Sequence, residues 1–153
     1  MYNIFLFLHS WLRWLALVLL LVASIRAIYG LIEKKTFTNK DDKITLVAVS
    51  LLHLQLLFGV ILYSILSPLT KAAFSNFSAA MKDGLLRYWA VEHIFVMLLS
   101  VAIAQIGRIM IKRSKTDTAK FKNELIYFLF AFILIISRIP WDEPVRMLRG
   151  IIE

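Results

Sequence analysis

Four long stretches of hydrophobic residues alternate with short polar connections along this chain. They cover residues of about 4–32, 44–66, 87–111 and 124–139. A helix needs about 20 mostly apolar residues to cross a bilayer, and the first three stretches meet that length while the fourth approaches it. The pattern therefore predicts an all-α integral membrane protein, an up-down bundle of four spanning helices in a single membrane domain over residues 1–153.

The polar segments between these stretches predict where the helices begin and what lies outside the membrane. Asp41 and Asp42 stand where they can cap the second helix. Residues 68–82 are mixed in polarity and too few to span, so they predict an interfacial loop with an amphipathic turn. Residues 140–153 are amphipathic and predict an interfacial tail along the membrane surface.

Composition agrees with a membrane protein and excludes several other classes. Of the 153 residues, 60% are hydrophobic and the mean hydropathy is +0.76, far above the range of an ordinary soluble domain. The sequence contains no cysteine. This excludes a disulfide framework, thiolate metal sites, a cysteine nucleophile and covalent haem attachment through a Cys-x-x-Cys-His motif.

The net charge of +8 would suggest a nucleic-acid partner in a soluble protein, but its distribution points to the membrane instead. Nine lysines and arginines lie in the connections 33–43 and 112–123, against three between residues 68 and 87 and two after residue 139. By the positive-inside rule the two basic connections are cytoplasmic, and both termini face the outer (periplasmic) side of a bacterial inner membrane. An aromatic belt at the outer surface is predicted for Trp11, Trp14, Tyr88, Trp89 and Trp141.

Ionisable side chains interrupt the apolar stretches. Such a group costs several kcal/mol among lipid tails unless it is partnered, so it marks a binding site or a structural pair. At about 1.5 Å per helical residue, His9, His93 and Arg138 lie at similar depth in the outer half. Arg13 lies one turn deeper than His9, and His53 lies near the midplane. The predicted cofactor-binding residues are His9, Arg13, His53, Glu92, His93 and Arg138.

Two neutral imidazoles at matched depth on different helices are the pattern for bis-histidine ligation of haem b. His93 is the first predicted iron ligand, and either His9 or His53 is the second. The first and third helices of an up-down bundle are diagonal, which would place a porphyrin inside the bundle. Arg13 and Arg138 would then pair with the haem propionates.

Four short motifs resemble those of the small bacterial membrane proteins described as cytochrome b-type. They are His9-Ser10-x-x-Arg13-Trp14, His53-x-Gln55 followed by Gly59, Glu92-His93, and Ile139-Pro140-Trp141. The resemblance covers the layout of the whole chain. It implies a b-type cytochrome that carries electrons between quinol and an acceptor at the outer face. Three histidines, with none in the fourth span, exclude a two-haem arrangement with four histidine ligands.

Several alternatives remain open from the residues alone. The chain can be a haem-free membrane subunit or scaffold of a larger complex, with a quinone or proton site at the same histidines. Glu92 can be an ion-pair partner of Arg13 or Arg138 instead of a proton carrier. No nucleophile, phosphate-loop or zinc-protease motif is present, so we expect an electron-transfer protein or an oxidoreductase subunit without catalytic residues of its own. Partners beyond the lipid bilayer, quinol or a redox protein, and a homodimer or larger complex, are not decided by sequence.

Overall fold

The computed structural model describes residues 1–141, and every regular element in this part of the chain is helical. The amphipathic tail predicted for residues 142–153 lies outside the described residues. The all-helical prediction is confirmed. Three helical segments are long and apolar enough to cross a membrane, namely Tyr2–Ile32, Asn39–Leu66 and Gly84–Arg113.

The helices are labelled in chain order. The long ones are α1 (Tyr2–Ile32), α2 (Asn39–Ile61), α6 (His93–Arg113) and α7 (Asp117–Ser137). A π-helical turn, Leu62–Leu66, extends α2, and another, Tyr88–Glu92, precedes α6. Three short helices lie between these turns: α3 (Pro68–Ser75), α4 (Phe77–Ala80) and α5 (Gly84–Arg87).

The segment after α2, predicted as an interfacial loop, is mostly helical. Each of its three short helices begins at a residue whose side chain caps it: Ser67 accepts from the Thr70 amide, Asn76 from Ala79, and Asp83 from Leu86. Such caps satisfy backbone donors that a helix start leaves unpaired. The interpretation as a loop was wrong because it weighed the mixed polarity of the segment above its capping residues.

The start of α2 confirms one of the two predicted caps. Thr38 and Asp41 form a capping box, in which the Thr38 hydroxyl accepts from the Asp41 amide and the Asp41 carboxylate accepts from the Thr38 amide. Asp42 has a different role, because its carboxylate accepts hydrogen bonds from Arg108 and Lys112. A residue predicted to act locally therefore joins two helices.

Four pairwise contacts arrange the long helices around one core. α1 packs against α2 and α7, and α6 packs against the same two helices, so α1 and α6 lie diagonally. The core between them is built from buried side chains of all four long helices, among them Leu20, Leu52, Val101, Ala104, Phe128 and Ile135. Close approach is possible because glycine faces a large side chain at two crossings. A Cβ added at Gly30 would overlap the Phe121 ring, and one at Gly107 would overlap Tyr127.

Side chains bridge the long helices at both ends of the bundle. At one end, which we call the histidine end, Gln55 of α2 bonds the His9 carbonyl of α1, and His93 of α6 contacts the Arg138 carbonyl after α7. At the opposite end, the aspartate end, Asp41 and Asp42 of α2 meet Arg26 of α1 and Arg108 of α6. In these contacts, residues near the N-terminus of one helix meet residues near the C-terminus of its neighbour, so the packed helices are antiparallel.

Candidate functional site

A cavity of about 110 Å³ lies inside the bundle at the histidine end. Its wall is mostly apolar, with side chains from α1, α2, α6 and the segment after α7. The polar residues in the wall are Tyr2, His9, Ser10, Arg13, Gln55, Tyr63, Ser67, Thr70, Trp89, His93 and Arg138. An apolar cavity with a few convergent polar groups is the usual form of a small-molecule site.

His9 reaches the cavity from α1 and packs over a glycine of α2. A Cβ added at Gly59 would lie 3.0 Å from His9 Cε1, so any larger residue would press on the imidazole. The Nδ1 atom of His9 is buried and has no hydrogen-bond partner among residues 1–141. A buried polar nitrogen without a partner is costly, and such atoms in native sites call for a ligand or a bound water.

Gln55 lies beside His9, and only one of its two amide heteroatoms has a hydrogen-bond partner among the described residues. Its Nε2 donates to the His9 carbonyl at 2.8 Å, which fixes the orientation of the amide. Its Oε1 is buried without a partner in the described part of the chain. Together the two residues place an unused nitrogen and an unused oxygen at the same wall of the cavity.

His93 faces the cavity from α6 with its orientation fixed. Its Nδ1 lies 3.2 Å from the Arg138 carbonyl, and its ring packs against Trp89 at 5.2 Å between centroids. A carbonyl can only accept, so in neutral His93 the hydrogen is on Nδ1 and the lone pair is on Nε2. The same carbonyl accepts from the Tyr88 hydroxyl at 2.7 Å. His93 therefore offers an acceptor nitrogen in a defined tautomer.

Glu92 is held beside the cavity by two arginines. The predicted pair with Arg138 is confirmed, with 3.5 Å between Nη1 and Oε2. Arg87, which was not predicted, is closer, with 2.9 Å between Nε and Oε1. The two residues are five apart: Arg87 directly precedes the π-helical turn and Glu92 is its last residue, and the hydrogen bonds of such a turn join residues at that spacing. The local winding thus puts Arg87 and Glu92 on one face, where an α-helix would separate them.

Arg13 and His53 complete the predicted set, and the structure places them differently. Arg13 lines the cavity, and its guanidinium lies over the Trp14 ring at 5.1 Å. His53 is exposed on the outside of α2, and its Nδ1 contacts the Val49 carbonyl of its own helix at 2.8 Å. It does not line the cavity. Positions two apart on a helix point about 200° apart, so Gln55 and His53 cannot both face inward.

The structure thus brings His9, Arg13, His93 and Arg138 to one cavity and leaves His53 outside it. Of the two alternatives for a residue acting with His93, the geometry favours His9. Among residues 1–141, no three histidine, aspartate or glutamate side chains come close enough to hold a metal ion by themselves. Any iron at this cavity would need further ligands, such as those of a porphyrin.

Sequence reasoning missed a second polar cluster, at the aspartate end. Arg26, near the end of the first apolar stretch, pairs with buried Asp41 at 2.7 Å. Arg108 is buried and reaches Asp42 and Thr45. Glu124 of α7 is fully buried beside them. Arg108 lies inside a segment that is otherwise apolar, which is the signal that could have singled it out.

No protein-family model, curated protein or solved structure matches this chain. Its function is therefore argued from the two polar regions of the bundle and from the cavity that one of them contains.

Proposed function

We propose that this chain is a four-span integral membrane protein of electron transport that binds the ring of a quinol or quinone in the cavity at the histidine end. The observation that carries the proposal is the meeting of His9 and His93, from diagonal helices, at one largely apolar cavity. This combination of an apolar wall and convergent acceptors suits a flat redox-active ring that carries hydroxyl or carbonyl groups.

In this proposal α7 is the fourth membrane span, and the bundle has up-down topology. Near the start of α7, Phe121 meets Gly30 of α1, and just after its end Trp141 meets Trp14 of α1 at 6.4 Å between ring centroids. Its charged first turn would lie at the membrane surface. The basic connections then face the cytoplasm of a bacterial inner membrane, and the histidine end and both termini face outward.

The size of the cavity favours a single ring. A cavity of about 150 Å³ in another protein is known to hold benzene. The volume here, about 110 Å³, is of the same order but smaller, so a quinone ring enters only if side chains that line the cavity shift. His93 Nε2 and the unused atoms of His9 and Gln55 are acceptors for quinol hydroxyls.

Bis-histidine haem b is the second candidate, and one observation favours it. Metal-ligating histidines usually donate their other ring N–H to a carbonyl, and His93 has this arrangement with Arg138. Haem would supply a one-electron carrier, with Arg13 and Arg138 available for its propionates. The donor set suits haem, but the space does not, because a porphyrin contains four five-membered rings in one macrocycle. We therefore derive no step through haem.

Either ligand requires a partner that takes or supplies electrons. The described residues offer no motif for a second redox centre, so the protein would act beside a redox protein or as a subunit of a larger oxidoreductase. The remaining alternative is a haem-free scaffold whose histidines only lock the helices together.

A quinone titration of the detergent-purified chain, followed by tryptophan fluorescence, tests the first candidate. We expect saturable quenching by a short-chain quinone, since Trp89 lines the cavity. His9→Ala and His93→Ala should each weaken binding roughly tenfold, about the value of one lost hydrogen bond with its packing. His53→Ala is the matched control and should bind as the wild type does. Equal weakening in all three variants would refute the site.

A reduced-minus-oxidised absorption spectrum after haem-replete expression tests the second candidate. Sharp Soret and alpha bands that disappear in both His9→Ala and His93→Ala would replace the quinone proposal with haem b. If neither quinone nor haem binds, the scaffold alternative stands.

A further inference from the structure

Glu124 at the aspartate end is a buried acid that the cavity chemistry does not use. Its side chain belongs to α7 and is 0% exposed. Both carboxyl oxygens are buried and have no hydrogen-bond partner within residues 1–141. An ionised carboxylate in that state costs several kcal/mol, because neither water nor a protein donor replaces its hydration.

The charged residues nearest to Glu124 are committed to other partners. Arg26 of α1 directs Nε and Nη2 to Asp41, at 2.7 and 3.4 Å. Arg108 of α6 directs Nη1 to the Asp42 carboxylate and the Thr45 hydroxyl, and Nη2 to the other Asp42 oxygen. Both guanidinium groups therefore face aspartates of α2.

The aspartates add to this effect. Asp41 of α2 is a charged neighbour of Glu124, together with Arg26 and Arg108. Its carboxylate is fully engaged, since it also accepts from the Thr38 amide and hydroxyl, both at 2.7 Å. Asp41 therefore has hydrogen-bond donors that stabilise its negative charge, whereas Glu124 has none among the described residues. Two neighbouring carboxylates with unequal hydrogen bonding separate into one ionised and one neutral group.

We propose that Glu124 is a proton-binding site, a carboxylic acid kept neutral inside the bundle whose proton can be exchanged for the guanidinium of Arg26 or Arg108. In the arrangement described, Glu124 holds the proton and the arginines face Asp41 and Asp42. When the proton leaves, the carboxylate attracts one of these arginines, which lie on two different helices. No electron transfer is involved: the O–H bond of the acid breaks, and its proton passes to solvent water at the aspartate end.

This site is separate from the cavity at the histidine end. Between them lies a layer of buried apolar side chains that includes Leu20, Leu52 and Phe128. The two buried hydroxyls near this layer bond to backbone carbonyls of their own helices, Ser24 to Leu20 and Ser100 to Val96. The proton of Glu124 therefore exchanges at the aspartate end. The inference does not depend on what occupies the cavity.

Infrared difference spectroscopy of the full chain in lipid nanodiscs tests the proposal. At neutral pH the wild type should show the carbonyl stretch of a carboxylic acid, shifted in D₂O, and Glu124→Gln should lose that band. Glu33→Gln removes an exposed glutamate at the end of α1 and serves as the matched control, so it should keep the band. A wild-type spectrum without the band, or a band that Glu124→Gln retains, would overturn the inference.

A second variant tests the exchange with arginine. Asp41→Asn removes the charge that holds Arg26, so Arg26 becomes free to pair with Glu124. The carboxylic-acid band should fall to less than half of its wild-type intensity as Glu124 ionises. An unchanged band in folded Asp41→Asn would contradict the exchange. Failure of Glu124→Gln to fold would also count against the proposal, because a neutral amide of the same shape should replace a neutral acid.

Discussion

The two ends of the bundle solve the same problem, polar groups inside an apolar fold, in opposite ways. At the aspartate end, Arg26 faces Asp41 and Arg108 faces Asp42 across helix boundaries, and the pocket beside Asp42 and Lys112 is a more open depression than the cavity at the other end. At the histidine end, His9 and Gln55 keep unused atoms next to a cavity of about 110 Å³. The first arrangement stabilises the packing of helices, whereas the second leaves capacity for a ligand.

The two ends therefore differ in what their polar groups do: those at the aspartate end stabilise the fold, and those at the histidine end can bind a ligand. Paired charges are satisfied before any ligand arrives, so removing one partner should affect stability most. Unused acceptors beside a cavity contribute little to stability, so changing them should affect binding most. Glu124 is the exception at the aspartate end, since it has no partner there and is the group assigned to proton binding.

The largest effect on stability is expected from Arg108→Ala. Arg108 is only 8% exposed, and the change removes its hydrogen bonds to Asp42 and Thr45. We expect a loss of about 3 kcal/mol in the free energy of unfolding, at the low end for a broken buried pair because Lys112 still reaches Asp42. Denaturant unfolding followed by circular dichroism in detergent measures this. If the free energy of unfolding fell no more than on substitution of an exposed lysine, the pair of Arg108 with Asp42 would not stabilise the fold.

Gly30→Ala should be the next most damaging change. The added methyl group would overlap the Phe121 ring, and that ring is fully buried between helices. Overpacking of this kind costs about 2 kcal/mol. Gly84→Ala is the matched control, because nothing lies within 4 Å of a Cβ added there. Equal unfolding midpoints for the two variants would argue against close contact between α1 and α7.

Gly59→Ala sharpens the comparison at the histidine end. The new methyl group would lie 3.0 Å from His9 Cε1, but the imidazole stands beside a cavity and can move. We expect a loss of less than about 1 kcal/mol in stability. Quinone affinity should fall several-fold because His9 turns into the ligand space, as measured by fluorescence titration. A large loss of stability with unchanged affinity would reverse the roles assigned to the two ends.

Lys112→Ala should have the smallest effect. Its Nζ lies 2.9 Å from Asp42 Oδ2, yet the lysine side chain is 58% exposed. Exposed ion pairs contribute about 0–1 kcal/mol, and Asp42 keeps Arg108. The unfolding midpoint should therefore stay close to that of the wild type. A loss as large as that of Arg108→Ala would show that the whole network acts as one unit.

The depth of each histidine in the bundle could be predicted from the sequence, but the side of the helix on which it lies was predicted only in part. Counting residues from the helix ends put His9 and His93 at matching depth, and both line the cavity. The same count could not place His53 outside, whereas its two-residue spacing from Gln55 could have. Arg108 and Glu124 each lie near the end of an apolar stretch, next to a basic connection, where a charged side chain is ordinarily exposed. Their burial depends on which helices cover them.

The sequence by itself determined the four long helices, their apolar character and the ionisable residues inside them, because these follow from hydrophobic runs and capping residues that act locally. Only the tertiary structure decided which of those ionisable residues meet. Arg26 meets Asp41 across a tight connection, and Arg87 reaches Glu92 through a π-helical turn. The convergence of His9 and His93 on one cavity requires the diagonal placement of α1 and α6, which arises from the packing of whole helices and has no local signal in the chain.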